Sequence, residues 1–452
     1  MAKHASTKLP RAAERSVTKP SRSTELGLML LAWIIVGAFY SLASLGANGH
    51  LPVRLGVFLG SIVAISLMMH IAIRRFAPRS SQVLLPIATL LNGIGYVEIA
   101  RWDPPLAGNQ ALWFLISAVG LVATLMVVRR TQDLNRYRYM ILVVAIGLLL
   151  LPLIPHFGED VNGARLWVKV GPISFQPVEF AKILLVFFFA SYFASNRELL
   201  STPTQRIGGR LFVPPKVLLP ILFAWGLAMA ILGAENDIGF ALLLFALFIS
   251  LLWVTTGLKT YVVLGMGLFA GSAFVLASLF SQVHARVSIW LDPWTVCAKG
   301  GSCQIAWGWF SLAAGGVTGT GLGLGQSNNI YNITSDMIFA AVGEELGFIG
   351  IILVLGLFAA FVGEGFRIAQ RANSDYVRLA ATGLSALIGF QAFLIMAGVL
   401  RILPFTGLTL PFMAYGGSSL FANYVIVALL LRISDENAIE RRGGEVVAVQ
   451  FT

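Results

Sequence analysis

Charge is scarce in this 452-residue chain: Asp, Glu, Lys and Arg together make up 12% of it, where soluble domains carry about 25%. Hydrophobic residues reach 57% and the mean hydropathy is +0.81. A water-soluble globule of this composition lacks the polar groups to cover its surface. That excludes a cytoplasmic enzyme, a secreted disulfide scaffold and a disordered chain, and leaves a polytopic membrane protein. Histidine is also rare, and His4, His50, His70, His156 and His284 form no metal-ligand spacing. Gly-x-Ser-x-Gly, His-Glu-x-x-His and Walker patterns are missing. Acidic residues number 21 against 32 basic ones, a net charge of +11. The basic residues sit between apolar runs with no groove-reading motif. They therefore point to membrane orientation and anionic lipid, not to nucleic acid.

What is abundant is long apolar runs. A membrane-crossing helix needs about 20 mostly apolar residues. Twelve stretches qualify: 25–46, 54–73, 82–100, 111–129, 140–155, 178–195, 217–234, 238–256, 261–280, 337–363, 379–400 and 409–431. The expected fold is all-α, a polytopic membrane bundle of about 12 helices with two long extracytoplasmic loops. Residues 1–24 read as a disordered basic tail, 25–432 as the transmembrane domain and 433–452 as a second solvated tail. Twenty-four Lys and Arg fall on the side of the two termini and seven on the other, with Lys182 inside a span. The positive-inside rule then puts both termini in the cytoplasm.

The long outer loops, about 156–177 and 281–336, attract the search for chemistry. The smaller holds Glu159, Asp160, Arg165, Trp167 and Lys169, with Glu179 and Lys182 just inside the next span. The larger holds Arg286, Asp292, Cys297, Lys299, Cys303 and Asp336, then Glu344 and Glu345 at the span entrance. A solvated surface role is the ordinary reading of Glu159, Asp160 and Lys299. Intramembrane charges are costly and usually paired or functional. Glu179 and Lys182, three apart, share a helix face, so a structural ion pair is the plain reading there. Gly319, Gly321, Gly323 and Gly325 suit a tight backbone turn better than a phosphate loop, since no Lys-Ser/Thr follows them. Cys297 and Cys303 lie in an outward compartment at a spacing that suits a disulfide; two free thiols are the alternative.

Several segments together resemble the RodA/FtsW/SpoVE proteins, the SEDS glycosyltransferases of bacterial cell-wall synthesis. They are Asn162-Gly163-Ala164-Arg165-Leu166-Trp167 with Phe175-Gln176-Pro177-Val178-Glu179-Phe180-Ala181-Lys182; Ser335-Asp336-Met337-Ile338-Phe339-Ala340 leading to Gly343-Glu344-Glu345-Leu346-Gly347; and Pro404-Phe405-Thr406-Gly407-Leu408-Thr409-Leu410-Pro411 with Tyr415-Gly416-Gly417-Ser418-Ser419-Leu420. Asp237-Ile238-Gly239 resembles the family's Asp-Leu-Gly turn, and Gln110 with Trp113 its Gln-x-x-Trp entry to a span. The match runs from about 110 to 433. The usual family core has ten spans, so 25–100 reads as an extra N-terminal pair, similar to actinobacterial RodA-type members.

The resemblance implies polymerisation of lipid II into undecaprenyl-linked glycan outside the membrane, beside a class B penicillin-binding protein. A lipid-precursor flippase, or a non-catalytic scaffold for that partner, are the alternatives. It implies Asp292 as the base that deprotonates the acceptor hydroxyl, the plain alternative being a turn residue before Pro293. Arg165, Lys169, Lys182 and Arg286 are implied for pyrophosphate, and Trp113, Glu344 and Glu345 for the substrate site. The two glutamates are also candidates for a divalent cation, Mg or Mn. Glu179, Asp237, Gly416, Gly417 and the two cysteines are implied as structural. Two departures stand out. The family's second acidic-Pro step is replaced by Thr295-Val296-Cys297. Thr334 and Ile395 replace a His and an Asn.

Overall fold

The computed structural model describes residues 22–450 except 54, 156, 162–163, 172, 203–204, 208–209 and 280. The basic tail up to residue 21, and Asn162-Gly163 of the motif above, lie outside the described residues.

The chain opens with α1 (Ser23–Asn48), α2 (Leu55–Phe76), α3 (Leu84–Trp102) and α4 (Pro104–Val127). Next comes α5 (Arg138–Leu150), extended by 3-10 turns at both ends into one apolar stretch, Thr131–Leu153. A small antiparallel sheet follows: β1 (Gly158–Val161), β2 (Ala164–Val170) and β3 (Ile173–Phe175). Then come α6 (Pro177–Ser195), the short α7 (Arg197–Ser201), the hairpin β4 (Gln205–Ile207) and β5 (Arg210–Phe212), α8 (Pro215–Ala234), α9 (Ile238–Thr256) and α10 (Lys259–Leu279). The large loop folds as α11 (Ser281–Leu291), α12 (Pro293–Ala298) and α13 (Gln304–Gly315). The chain closes with α14 (Ile338–Gln370), α15 (Asp375–Val399) and α16 (Gly417–Gln450).

Ten stretches are long and apolar enough to cross a membrane. Helices α3 and α10 fill the two remaining expected spans. The polar groups of α3, among them Asn92 and Glu98, are tolerable because the helix is wrapped by α1, α4 and α14 and meets protein instead of lipid. Helices α6, α15 and α16 form the centre: their most apolar windows are 78, 78 and 83% buried, against 28% for α1. Helix starts follow local chemistry. Pro104 and Pro105 open α4, and Asp103 accepts the Leu106 N–H.

Three expectations change. The 156–177 loop is a sheet, because residues on β2 alternate between exposed Lys169 and buried Val168 and so pair along one face. Arg22, counted with the tail, is buried, donating to the Ser80 and Ser81 carbonyls at 3.1 Å and pairing with Glu25. Residues from 433 on prolong α16, with Ile433, Asp435 and Asn437 buried. Arg432 on that helix donates to the carbonyls of Phe76 (2.7 Å), Val128 (2.8 Å) and Leu125, so one guanidinium ties the ends of α2 and α4 to α16.

Near its N-terminal end, α14 breaks at Gly347 (φ 63°, ψ −161°). The carbonyls of Glu344 and Glu345, released from the helix ladder, accept the N–H groups of Thr320 (2.9 Å) and Gly321 (3.1 Å). The glycine-rich stretch is thus a backbone turn laid into the break. Its close approach needs glycine: a Cβ on Gly319, where φ is +86°, would lie 2.1 Å from the Glu345 carbonyl oxygen. Gly319→Ala is expected to lower the unfolding free energy in detergent by about 2–4 kcal/mol, from overpacking and left-handed strain together. Gly316→Ala, with positive φ but open space around it, is expected to cost only about 1–2 kcal/mol. Thermal unfolding of both variants checks the contrast.

Candidate active site

Four charged or ionisable groups at the ends of α8 and α9, on α11 and before α14 are linked electrostatically: Arg286 acts on Asp237 and Asp336, and Asp237 on Glu235. Asp237 caps α9, its carboxylate accepting the Phe240 N–H at 2.9 Å. Burial raises it to about 6, against the opposing pull of that N–H and of Arg286. Two residues earlier, Glu235 is buried at 1% exposure with both carboxyl oxygens lacking a hydrogen-bond partner. Burial, with Asp237 beside it, pushes its carboxyl up to about 9, so it holds its proton at neutral pH. Arg286 on α11 donates to the Thr406 carbonyl at 3.1 Å, and its charge acts on both Asp237 and Asp336. Asp336 is buried and accepts from the Gln304 side-chain amide at 3.1 Å. Burial raises it to about 7, its own backbone, Gln304, Ser335 and Arg286 pulling the other way.

Below this group, Lys182 on α6 sits 2.5 Å from Glu179 and donates to Gln391 of α15 at 2.7 Å. Gln391 in turn donates to the Thr409 carbonyl at 2.9 Å. The expected ion pair of Glu179 and Lys182 within α6 is therefore present, and Lys182 also reaches a second helix, α15. Above the group, Arg165 and Lys169 stand exposed on β2, each 3.9 Å from an acid of β1, Asp160 and Glu159 respectively. The Arg165 backbone N–H donates to the Glu235 carbonyl at 3.2 Å, which pins the sheet over the buried acids.

Other expected residues take different places. Asp292 is exposed at the start of α12 and accepts the Thr295 N–H at 3.1 Å; Thr295 holds its carboxyl below the usual range. That is the turn role open to an Asp before Pro. Cys297 and Cys303 form a disulfide. Trp113 packs on the backbone at the start of α16: a Cβ on Gly417 would fall 2.0 Å from its ring, whereas Gly416 lies under no such constraint. Glu344 accepts from the Ser311 hydroxyl (2.9 Å), the Gln326 N–H (2.8 Å) and Ser327. Glu345 pairs with Arg101 and accepts the Gly323 N–H at 2.9 Å. With their oxygens taken by protein donors, these two glutamates do not fit a divalent cation; their contacts anchor the glycine-rich turn. Among the described residues no group of three or more His, Cys, Asp or Glu is placed to hold a metal.

Glu235 and Gln391 escaped the sequence reading. Each is a lone polar residue beside or within an apolar run, and intramembrane polarity was the available signal.

A sequence profile described as cell cycle protein, covering FtsW, RodA and SpoVE, matches residues 102–439. The chain belongs to this family. It is 36% identical over 433 residues to "Peptidoglycan glycosyltransferase RodA" of Mycobacterium tuberculosis, covering 93% of this chain and 92% of that one. The fold is similar to a chain in "Structural coordination of polymerization and crosslinking by a peptidoglycan synthase complex", with TM-score 0.65 and 25% identity over 79% of this chain and 98% of that chain. It also resembles the crystal structure of the Thermus thermophilus rod shape determining protein RodA, with TM-score 0.57 and 25% identity over 79% of this chain and 97% of that one. Helices α1 and α2, and α3 up to its last residue, precede the family match.

Arg101→Met should leave the Glu345 carboxylate buried without its cation and cost about 3–5 kcal/mol in thermal unfolding. Adding Glu345→Gln removes that stranded charge, so the double variant should recover part of the loss.

Proposed function

We infer that this membrane protein is a peptidoglycan glycosyltransferase that polymerises lipid II on the outer face of the cytoplasmic membrane, with both termini in the cytoplasm. The observation that carries the mechanism is Asp336, buried before α14 and held by the Gln304 amide at 3.1 Å, with the Arg286 charge acting on it and on Asp237. A transporter would gather its charges near the midplane; here they gather at helix ends facing one side, which favours the enzyme over the flippase.

The reaction joins an acceptor sugar hydroxyl to the anomeric carbon of a donor carried on pyrophosphate. One displacement inverts that carbon and needs one base, with no covalent intermediate. A useful base has a pKa near the working pH. Asp336, raised to about 7, meets that condition, whereas Asp292 is held low and bonded to its own helix. We therefore assign Asp336 as the proton acceptor in place of Asp292. Arg286 beside it stabilises the leaving pyrophosphate, and Lys182 adds positive charge deeper in the bundle. Arg165 and Lys169, exposed above the site, attract the anionic substrate. The cross-linking half of the reaction belongs to a class B penicillin-binding protein docked on this chain, a reading supported by the likeness to a subunit of a synthase complex.

The test is lipid II polymerisation by the purified protein with its penicillin-binding partner. Asp336→Asn should lower the rate at least about 100-fold, the usual contribution of a general base. Asp292→Asn keeps a good N-cap and should leave chain formation in place. Loss of activity in Asp292→Asn with Asp336→Asn active would overturn the assignment. Loss in neither would keep the polymerase reading and place the base elsewhere. The base works only when deprotonated, so kcat/KM should rise with pH through about 7 and fall away below it.

A further inference from the structure

We propose that the groove between α2 and α4 is a binding site for one anionic glycerophospholipid, with an acyl chain along the groove and the phosphate at Arg75. The groove measures about 420 Å³ and is lined by Met68, Ile71, Val119, Ala123 and Met126, with Arg75 and Phe76 at one end. Its wall is apolar and faces outward: Ile71 is 58% exposed and Val119 55%. In a membrane such a surface meets acyl chains, and a concave one holds a chain better than a flat one.

Charge selects the headgroup. Arg432 binds carbonyls at the ends of both α2 and α4, so those two ends are drawn to one point. Each end carries a pair of exposed arginines, Arg74 and Arg75 on one and Arg129 and Arg130 on the other. Arg75 lines the groove itself, and the other three arginines add positive charge at the same two helix ends. The acids on the α16 side of this junction are engaged elsewhere: Asp435 accepts the Arg79 N–H at 2.7 Å and Glu436 the Thr131 N–H at 2.8 Å. Asp133 is exposed nearby on the 3-10 turn and is the one opposing acid in the segment after α4. Anionic and zwitterionic headgroups both carry a phosphate, but the positive charge at these helix ends favours the one with a net negative charge over the one whose choline cation cancels it.

The site is built by α2, which precedes the family match, against α4, which lies inside it. The lipid would act as mortar between the two. With the orientation given above, its headgroup lies in the cytoplasmic leaflet, far from the polymerisation site.

The experiment is native mass spectrometry of the full chain, stripped of lipid in detergent and titrated with dioleoyl phosphatidylglycerol or dioleoyl phosphatidylcholine. Wild type should retain one phosphatidylglycerol at concentrations where phosphatidylcholine is bound severalfold less. Arg75→Ala should cut that preference about fivefold, the effect of about 1 kcal/mol for one arginine at an anionic surface. Ala123→Trp, at an exposed position, should fill the groove and abolish retention of both lipids while leaving the size-exclusion profile unchanged. Equal retention of the two lipids by wild type would overturn the proposal. So would full preference in Arg75→Ala, or full binding in Ala123→Trp. Copurification of an undecaprenyl phosphate or a partner helix in the groove, displacing phosphatidylglycerol, would also overturn it.

Discussion

Glu345 accepts the Gly323 N–H while it pairs with Arg101, and this one carboxylate joins α3, α14 and the glycine-rich turn. A buried carboxylate is stable only with its partners in place. The turn cannot drift without stranding it. Next to it, Glu344 draws in Ser311, Gln326 and Ser327, fixing α13 and the segment that leads on to Asp336. The position of the proposed base thus descends, step by step, from a charge pair that takes no part in the chemistry. The break at Gly347 makes the arrangement affordable, because it frees two helix carbonyls for the backbone of the turn.

The added N-terminal helix is drawn into the same assembly. A Cβ on Gly46 would lie 2.2 Å from the Leu322 carbonyl oxygen, so α1 meets the glycine-rich turn backbone to backbone. The opposite end of the hairpin is held by Arg22, Glu25 and His70, the last two 2.7 Å apart. Helices before the family match therefore touch the glycine-rich turn at one end and are braced by ion pairs at the other. This gives the N-terminal pair a physical task in addition to anchoring.

Much of the candidate site was legible as residues but not as roles. Arg286, Lys182, Glu179 and Asp237 stood out because charge beside an apolar run demands a partner. Their grouping across α6, α8, α9, α11 and the segment before α14 was not legible, since no spacing in the chain relates those elements. Asp292 shows the limit most plainly. Its neighbour Pro293 suited both a catalytic loop and a helix start, and the bond from the Thr295 N–H that makes Asp292 an N-cap is visible only in the structure. Glu344 and Glu345 have the same lesson: paired carboxylates read as a cation site until their hydrogen-bond donors are seen.

The sequence by itself determined a helical membrane bundle, its two long loops and the family, because hydropathy and motif order are local properties of the chain. The cysteine spacing and compartment likewise anticipated the disulfide between Cys297 and Cys303. Tertiary structure alone decided which acids are buried beside Arg286, which carboxylates are spent on backbone N–H groups, and where α2 leaves a groove against α4. Those depend on desolvation and on contacts between elements far apart in sequence, and the energy of a buried charge is set by neighbours the local chain does not specify.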